Sequence, residues 1–584
     1  MINPITKTDY PDPDVIRVGN VFYMVSTTIY FFPGGEILRS YDLVHWEIAA
    51  HIFDFIDGTD AEHLRNGENA YGKGMWAASL RYHDGKYYVL FVSHGQQDTH
   101  LYTADAIEGP WEHKRIKGYF HDASLLFDDD GRVFLTSGNM QIHLTELSED
   151  LTGPKPGGID TVIIRDNPEE VFLGYEGSHF YKIDGRYYIT LIHWPKSTSR
   201  RTEAVFVSDR VEGPYVGRDV CWDDMGYHGQ GIAQGGIVDT PDGRWYSIMF
   251  RDSGAVGRVP ALVPVRFGDG VAGSYRDGLT GQPINGTEIV EGSGRKRFLF
   301  PEFGENGIIP ETFETPDLNP GYVYEPLFTS DDFSSDKATQ TPQHASKSLQ
   351  ALQPSSKLQP ALKPQWQWNH IPDGALWEFL PGGGLAITTG AVSKNPTEAR
   401  NTLTQRMAYP KCAAEVTVDV SGLKDGDIAG LIALQGKYGI IGIEKENGRF
   451  SIVRLVREQA TQGFGIGSND HEPGTVTNRI EWRGSGTVTD RVDLGETSGN
   501  LSDSAGQNAN KPSLIRLRID ADFTDMKDEV TFAYEENGTF VPLGGAHKLA
   551  FRLDHFTGAR FGLCVFATKE AGGTAVFRKF TYQL

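Results

Sequence analysis

The sequence predicts an all-β chain: a five-bladed β-propeller followed by a β-sandwich of the jelly-roll, concanavalin-like type. Three observations predict it. A turn followed by an aromatic-rich strand recurs five times in the first half, and after residue 366 the chain settles into short runs of alternating apolar and polar residues. Between them, at 329–365, lies a stretch rich in Ser, Gln, Lys and Pro and poor in aromatics. At 584 residues the chain is too long for one core, so several domains are expected.

The repeat reads VGNVFYMVS at 18–26, DGKYYVLFVS at 84–93, DGRVFLTSG at 130–138, DGRYYITLI at 184–192 and DGRWYSIMF at 242–250. Gly-Asn or Asp-Gly between apolar runs signals a hairpin, because the tight turn needs positive φ. The turn glycines fall 46–66 residues apart, room for four strands per unit. A ring of such units is a propeller. A weaker echo, SYDLVHWE (40–47), ADAIEGPWE (104–112), LSEDLTGPK (147–155) and SDRVEGPY (208–215), reads as outer strands and their turns.

In a propeller the innermost strands line the central channel, so their first residues converge at one mouth. Nine residues before Gly85, Gly131, Gly185 and Gly243 stand Trp76, Asp122, Glu176 and Gln234. In the first unit, whose turn is shorter, Asp12 lies seven before Gly19, inside Pro-Asp-Pro-Asp, with Asp14 as its rival. Three of the five positions carry carboxylates. Singly, each reads as a turn or strand-end cap. In phase, they form a mutually repelling cluster of the kind that serves a metal or a proton transfer. One protonated and one ionised carboxyl on opposite sides of a sugar ring can cut a glycosidic bond, and a third can raise the acid's pKa. Phe31, Phe32, Trp76 and Trp194 would suit the C–H faces of a sugar, although each alone also reads as core. His94, His193 and His228 read first as hydrogen-bonded scaffold.

A net charge of −22 argues against nucleic acid and anionic membranes as partners and fits a small oligosaccharide. Apolar runs of about 4–8 residues are too short to cross a membrane. Cys221, Cys412 and Cys564 lie far apart and match neither a zinc spacing nor a disulfide framework. The polar, Pro-rich start has no apolar leader segment, so a cytoplasmic location is expected. A homo-oligomer is compatible with the sequence.

The chain resembles glycoside hydrolase family 43, whose members include β-xylosidases and α-L-arabinofuranosidases. The segments that carry the resemblance are DYPDPDVIRVGNVFYMVSTTIYFFPGGEILRSYDLVHWE, GMWAASLRYHDGKYYVLF, FHDASLLFDDDGRVFL, EGSHFYKIDGRYYIT and GRVPALVPVRF, within about the first 300 residues. The resemblance implies an inverting mechanism with Asp12 as general base, Asp122 as pKa modulator and Glu176 as general acid. It implies subsite aromatics at Phe32 and Trp76 with Phe31 beside them, and a sugar contact at Arg258. Gln234, at the fifth inner strand, joins the expected substrate-binding set. Two departures stand out. The second blade reads WAASL where the family often has Trp-Ala-Pro. The fifth-blade strand has Ala233 and Gln234 where many members place a His that helps hold an ion or water. Bound calcium is therefore doubtful, although His228 could substitute, and no cofactor is expected to be required.

QWQWNH and EARNTLTQR (398–406) resemble the C-terminal sandwich of family 43 β-xylosidases. In that group the sandwich packs on the propeller and can lend a loop to the active-site rim, which favours exo action. The expected layout is a catalytic propeller at 1–310, a connecting segment at 311–365 and a sandwich at 366–584. The expected activity is exo-acting release of xylose from β-1,4-xylooligosaccharides, with arabinofuranose as a further product. The alternatives are an α-L-arabinofuranosidase and a non-catalytic carbohydrate-binding protein.

Overall fold

The structure, a computed structural model, describes residues 3–269, 274–285, 299–334, 362–393, 395–457, 487–493 and 514–584. Five antiparallel sheets follow one another along the first half of the chain, the last two interleaved, because Ser274–Asp277 and Pro283–Asn285 of the fourth fall between Arg258–Asp269 and Leu299–Phe303 of the fifth. Their inner strands are Asp14–Val18, Met75–His83, Ser124–Phe127, Val171–Ile183 and Ile232–Asp239, opening blades 1 to 5 in order. Blade 4 carries two extra outer strands, Ser274–Asp277 and Pro283–Asn285. The hairpin turns form as the repeat demands: Asp84 and Gly85 take φ of 47° and 80°, and Asp184 and Gly185 take 49° and 75°.

The core is divided into wedges between adjacent blades. Val25, Ile37 and Phe53 of blade 1 meet Leu80, Val89 and Phe91 of blade 2. Leu90 and Leu101 meet Leu125 and Leu135 across the next gap, and Phe134 and Leu144 meet Phe180 and Phe206 across the third. Val205 and Val207 meet Ile232 and Met249, and Val15 and Phe22 meet Val238 and Ile248. Blade 5 is sealed to blade 1 by the N-terminal segment. The Asn3 side chain exchanges two hydrogen bonds with the Leu262 backbone at 2.8 and 2.7 Å, and the Tyr10 N–H donates to the Arg258 carbonyl at 3.0 Å.

An arginine stands on the axis. Arg81 donates through Nε to the Leu125 carbonyl (2.8 Å), through Nη1 to Asp14 Oδ2 and the Leu80 carbonyl (both 2.6 Å), and through Nη2 to Ser124 Oγ (2.7 Å) and the Phe180 carbonyl (3.3 Å). It thereby ties the inner strands of blades 1 to 4 together. Asp14, the rival to Asp12, is consumed here: Oδ2 also accepts from the Leu80 N–H at 2.7 Å, and Oδ1 lies 3.1 Å from His179 Nδ1. Burial would raise its carboxyl, but Arg81 and His179 hold it below its ordinary value. The Arg81 guanidinium supplies the positive charge that balances the Asp14 carboxylate. His228 lies exposed in the loop before blade 5.

After residue 310 the chain runs along the outside of blade 1. Leu318 N–H donates to the Tyr41 carbonyl and the Tyr41 N–H donates to Tyr324 Oη, both at 2.9 Å. Asp331 then bridges to Phe580 and accepts from Trp366 Nε1 at 3.0 Å. The connecting segment expected at 311–365 is thus packed chain through 334, and residues 335–361 lie outside the described residues.

The second half forms two facing sheets. One runs Gln367–Asn369, Thr402–Arg406, Arg560–Ala567, Asp427–Leu434, Gly439–Glu446, Arg449–Val456 and Thr487–Asp493. The other contains Trp377–Phe379, Leu385–Thr388, Thr574–Gln583, Lys411–Asp419, Leu514–Asp522, Glu529–Glu536 and Thr539–Pro542. Between them lies an apolar core including Leu403, Leu431, Leu517, Leu563 and Phe577. The first sheet does not stop at its own domain. Its edge strand is Phe31–Phe32 of the propeller, paired antiparallel as Trp368↔Phe32 and Asn369↔Phe31. Beside this seam the buried Glu36 of blade 1 accepts from Arg406 Nη1 at 3.1 and 2.9 Å and from Tyr10 Oη at 2.6 Å.

Candidate active site

The five positions counted from the hairpin glycines converge. Asp12 and Asp122 stand two residues before their strands, at φ of 52° and 47°, and Gln234 takes φ of 57°. Left-handed backbone at such residues carries strain that the surrounding structure must hold. Blade 4 provides that support: Ser178 Oγ donates to the Asp122 carbonyl at 2.9 Å, and the Gln234 N–H donates to buried Glu203 Oε2 at 2.8 Å. Gly177, after the catalytic candidate Glu176, also takes positive φ (63°), and a Cβ there would lie 2.7 Å from Gln234 Cγ. Glycine is needed for blades 4 and 5 to close on the mouth.

Asp12 is buried and doubly held: Arg258 Nη1 donates to Oδ1 at 2.7 Å and Thr27 Oγ1 to Oδ2 at 2.8 Å. Burial raises its carboxyl despite the Arg258 charge. On the other side Asp122 Oδ2 accepts from the Gly177 N–H at 3.1 Å. Between Asp122 and Glu176 sits a residue that sequence reasoning did not weigh. His121 Nε2 lies 3.4 Å from Glu176 Oε2 and 3.8 Å from Asp122 Oδ2. Asn139, from the turn at the end of blade 3's second strand, donates to the same Glu176 oxygen.

These contacts divide the charge. Burial pushes the Asp122 carboxyl up to about 7, with Glu176 and Asp12 adding and His121 opposing. Burial alone would raise Glu176 too, but the His121 and Asn139 hydrogen bonds and the His121 and Arg201 charges hold it below its ordinary value. Burial disfavours the His121 imidazolium, yet Asp122, Glu176 and Asp12 outweigh it and raise the ring to about 9. Of the two carboxyls, Asp122 is thus the one that holds a proton more readily, while the His121 ring favours the charged form of Glu176. His121, Asp122 and Glu176 offer atoms within 4.8 Å of one another. A cation there would have to displace both donors to Glu176.

Trp76 forms one wall, its ring stacked on His94 at 4.3 Å between centroids, with His94 Nδ1 3.1 Å from Tyr119 Oη. Facing it is Phe556, delivered by a sandwich loop with φ of 58°. Its ring lies 5.3 Å from Trp76, and the Arg258 guanidinium lies 4.3 Å from its centroid. The expected loan of a sandwich loop to the rim is therefore present. Phe31 and Phe32 are buried rather than at the surface of the mouth, Phe31 in the cluster against which Trp76 and Phe556 pack. Both are 1% exposed, Phe31 beneath the Arg560 guanidinium at 3.5 Å and Phe32 against Phe53 in the wedge between blades 1 and 2. Strand pairing with the sandwich fixes them there, so the aromatic wall is Trp76 and Phe556. His193 is scaffold, held between Asp166 and Asp219 at 3.1 Å each.

Residues 1–272 match the model of glycosyl hydrolases family 43, and residues 358–481 match the beta xylosidase C-terminal concanavalin A-like domain. A protein named beta-xylosidase from Formosa agariphila is 26% identical over 496 residues, covering 76% of this chain and 74% of its own. A non-reducing end alpha-L-arabinofuranosidase from Bacteroides ovatus is 25% identical over 480 residues, covering 77% of each. A solved bifunctional GH43-CE structure from Bacteroides eggerthii is 34% identical with a TM-score of 0.78. It covers all of this chain, which spans 63% of that longer one. The five-bladed ring, its in-phase acids and the appended sandwich have one common explanation: this chain is a glycoside hydrolase whose propeller belongs to family 43.

Proposed function

We propose that the protein is an inverting, exo-acting glycosidase that releases xylose from the non-reducing ends of β-1,4-xylooligosaccharides. The observation that carries this is the three-carboxylate mouth, with Asp12 on the Arg258 side and Glu176 on the His121 side. Asp12, ionised beside Arg258, takes the proton from an attacking water as its oxygen bonds to the anomeric carbon. Glu176 gives a proton to the leaving oxygen as the glycosidic bond breaks. Trp76 and Phe556 offer ring faces to the sugar, with Arg258 beside Phe556 and Gln234 against Gly177, next to Glu176. No step needs a cofactor.

Glu176 must carry the proton when it acts, whereas the His121 and Asn139 contacts favour its charged form. Its source stands 3.4 Å away. Covering the site with a sugar removes water, and desolvation favours a neutral pair over an ion pair. The His121 N–H bond breaks and a Glu176 O–H bond forms, leaving neutral imidazole and a carboxylic acid. After turnover Asp12 releases the proton of the attacking water to solvent, and His121 regains one from solvent. The wall made by the sandwich loop favours short chain ends, which supports exo action.

The relatives' names divide between xylosides and arabinofuranosides, so α-L-arabinofuranosidase is the second reading. The test is hydrolysis of 4-nitrophenyl β-D-xyloside and 4-nitrophenyl α-L-arabinofuranoside, with the first-formed anomer read by proton NMR. α-Xylose appearing first from the β-xyloside is expected. β-Xylose first would overturn inversion, and turnover of neither would return the carbohydrate-binding reading.

A further inference from the structure

The inner strand of blade 4 is longer than the others. Val171–Ile183 has 13 residues, against 5, 9, 4 and 8 in blades 1, 2, 3 and 5. Glu176 is its sixth residue, so Val171–Tyr175 continues past the acid. The neighbouring strand, Arg186–Pro195, keeps pace, with Leu173↔Trp194 and Val171↔Pro195 as partners and irregular register between them. At about 3.3 Å per residue this hairpin extends some 15 Å beyond Glu176.

Its side chains are not those of an inert edge. Phe172 is 53% exposed, so it is not core. Its ring meets Trp194 edge to face at 5.9 Å and 72°. From there a chain of rings and guanidinium groups leads back to the site. Arg201 lies 5.7 Å from the Trp194 ring and 5.7 Å from Phe250, Arg258 lies 5.3 Å from Phe250, and Arg258 donates to Asp12. Arg201 is itself anchored by Asp252 at 2.6 Å. Phe250 and Arg258 are 1% and 3% exposed, so this link runs through the core, while Phe172 presents its ring to solvent with the Lys196 ammonium 5.9 Å from its centroid.

The position decides the occupant. Glu176 protonates the oxygen that leaves, so the leaving chain passes over Glu176's side of the mouth, where this hairpin rises. Pyranose rings turn apolar C–H faces that stack on aromatic side chains. We propose that Phe172 and Trp194 form a leaving-group subsite, a platform for a second or third sugar beyond the cleaved bond, which makes oligosaccharide chains the preferred substrate class over disaccharides. The proposal rests on the glycosidase reading above and adds the length of chain that the site takes.

The test compares kcat/KM for xylotetraose with that for 4-nitrophenyl β-D-xyloside in the wild type, Phe172→Ala, Trp194→Ala and Phe172→Trp. The wild type should favour the longer chain. The tetraose-to-aryl ratio should fall about tenfold in each alanine variant, mainly through KM, and return towards the wild-type value in Phe172→Trp. Melting temperatures of all four proteins separate lost contact from lost fold. A wild type that cleaves both substrates, with a ratio unchanged in both alanine variants, overturns the platform while leaving the glycosidase reading intact. A wild type that cleaves neither overturns the glycosidase reading, and the platform falls with it.

Discussion

His121 Nε2 stands 3.4 Å from Glu176 Oε2, and the two are held as an ion pair at the floor of the mouth. Because the ring is raised to about 9, its charge persists through neutral pH and is lost as pH rises through that value. The supply of protons to Glu176 ends at the same point. The wild-type kcat/KM on xylobiose should therefore fall on the basic side near pH 9. In His121→Gln the basic limb should move to lower pH, towards the carboxyl's own titration, and kcat should drop about tenfold or more. The pH–rate profile of both proteins is the measurement; an unmoved limb would remove His121 from the proton path.

The two acids should separate by chemistry. Glu176→Ala should lose about 10²–10⁴-fold on xylobiose and less on aryl xylosides, whose leaving group needs little protonation. Asp12→Ala should lose both. Azide added to Asp12→Ala should restore turnover and yield a glycosyl azide of inverted configuration, identified by NMR.

Glu36 and Arg406 form a buried ion pair at the seam, and burial, which would raise the Glu36 carboxyl, is outweighed by Arg406 and His51, so the group sits far below its ordinary value. A depressed carboxyl stabilises the fold above its unfolded-state pKa of about 4.3 and loses that contribution as pH falls below it. Arg406→Met leaves the carboxylate buried without its counter-ion and should cost about 3–5 kcal/mol. Urea unfolding at pH 7 and pH 4 measures both effects. The difference between wild type and Arg406→Met should narrow at the lower pH.

Arg81 is the cation of the propeller axis. Arg81→Met abandons five acceptors and leaves Asp14 to His179 and one backbone N–H, so the melting temperature should fall sharply, with about 3–5 kcal/mol lost. Because the wild type neutralises Asp14 with its own side chain, its melting temperature should be the same in EDTA as in calcium chloride. A calcium-dependent rise in the wild type would contradict this.

The ring and its mouth were legible because antiparallel hairpins have fixed register. A glycine in the turn dates every residue before it, and Trp76, Asp122, Glu176 and Gln234 could be counted from theirs. Phe31 and Phe32 were misplaced because their partners, Asn369 and Trp368, lie in the other half of the chain, and pairing at such separation leaves no local mark. His121 was visible beside Asp122 but carries no period of its own. Its importance comes from Glu176, 55 residues away. Phe556 was hidden for the same reason as Phe31: it reaches the mouth only because the sandwich is docked there.

That docking ties inheritance to geometry. The seam at Phe31–Phe32 makes one continuous hydrogen-bonded sheet out of two halves, so a chain cut after residue 310 would bare a strand edge, strand the Glu36 carboxylate and lose one face of the sugar pocket. The halves cannot be shuffled among other partners as free modules can. Substitutions deep in the sandwich, remote in sequence from every catalytic acid, can shift Phe556 against Arg258. Through them selection can retune which sugar fits while leaving the chemistry untouched.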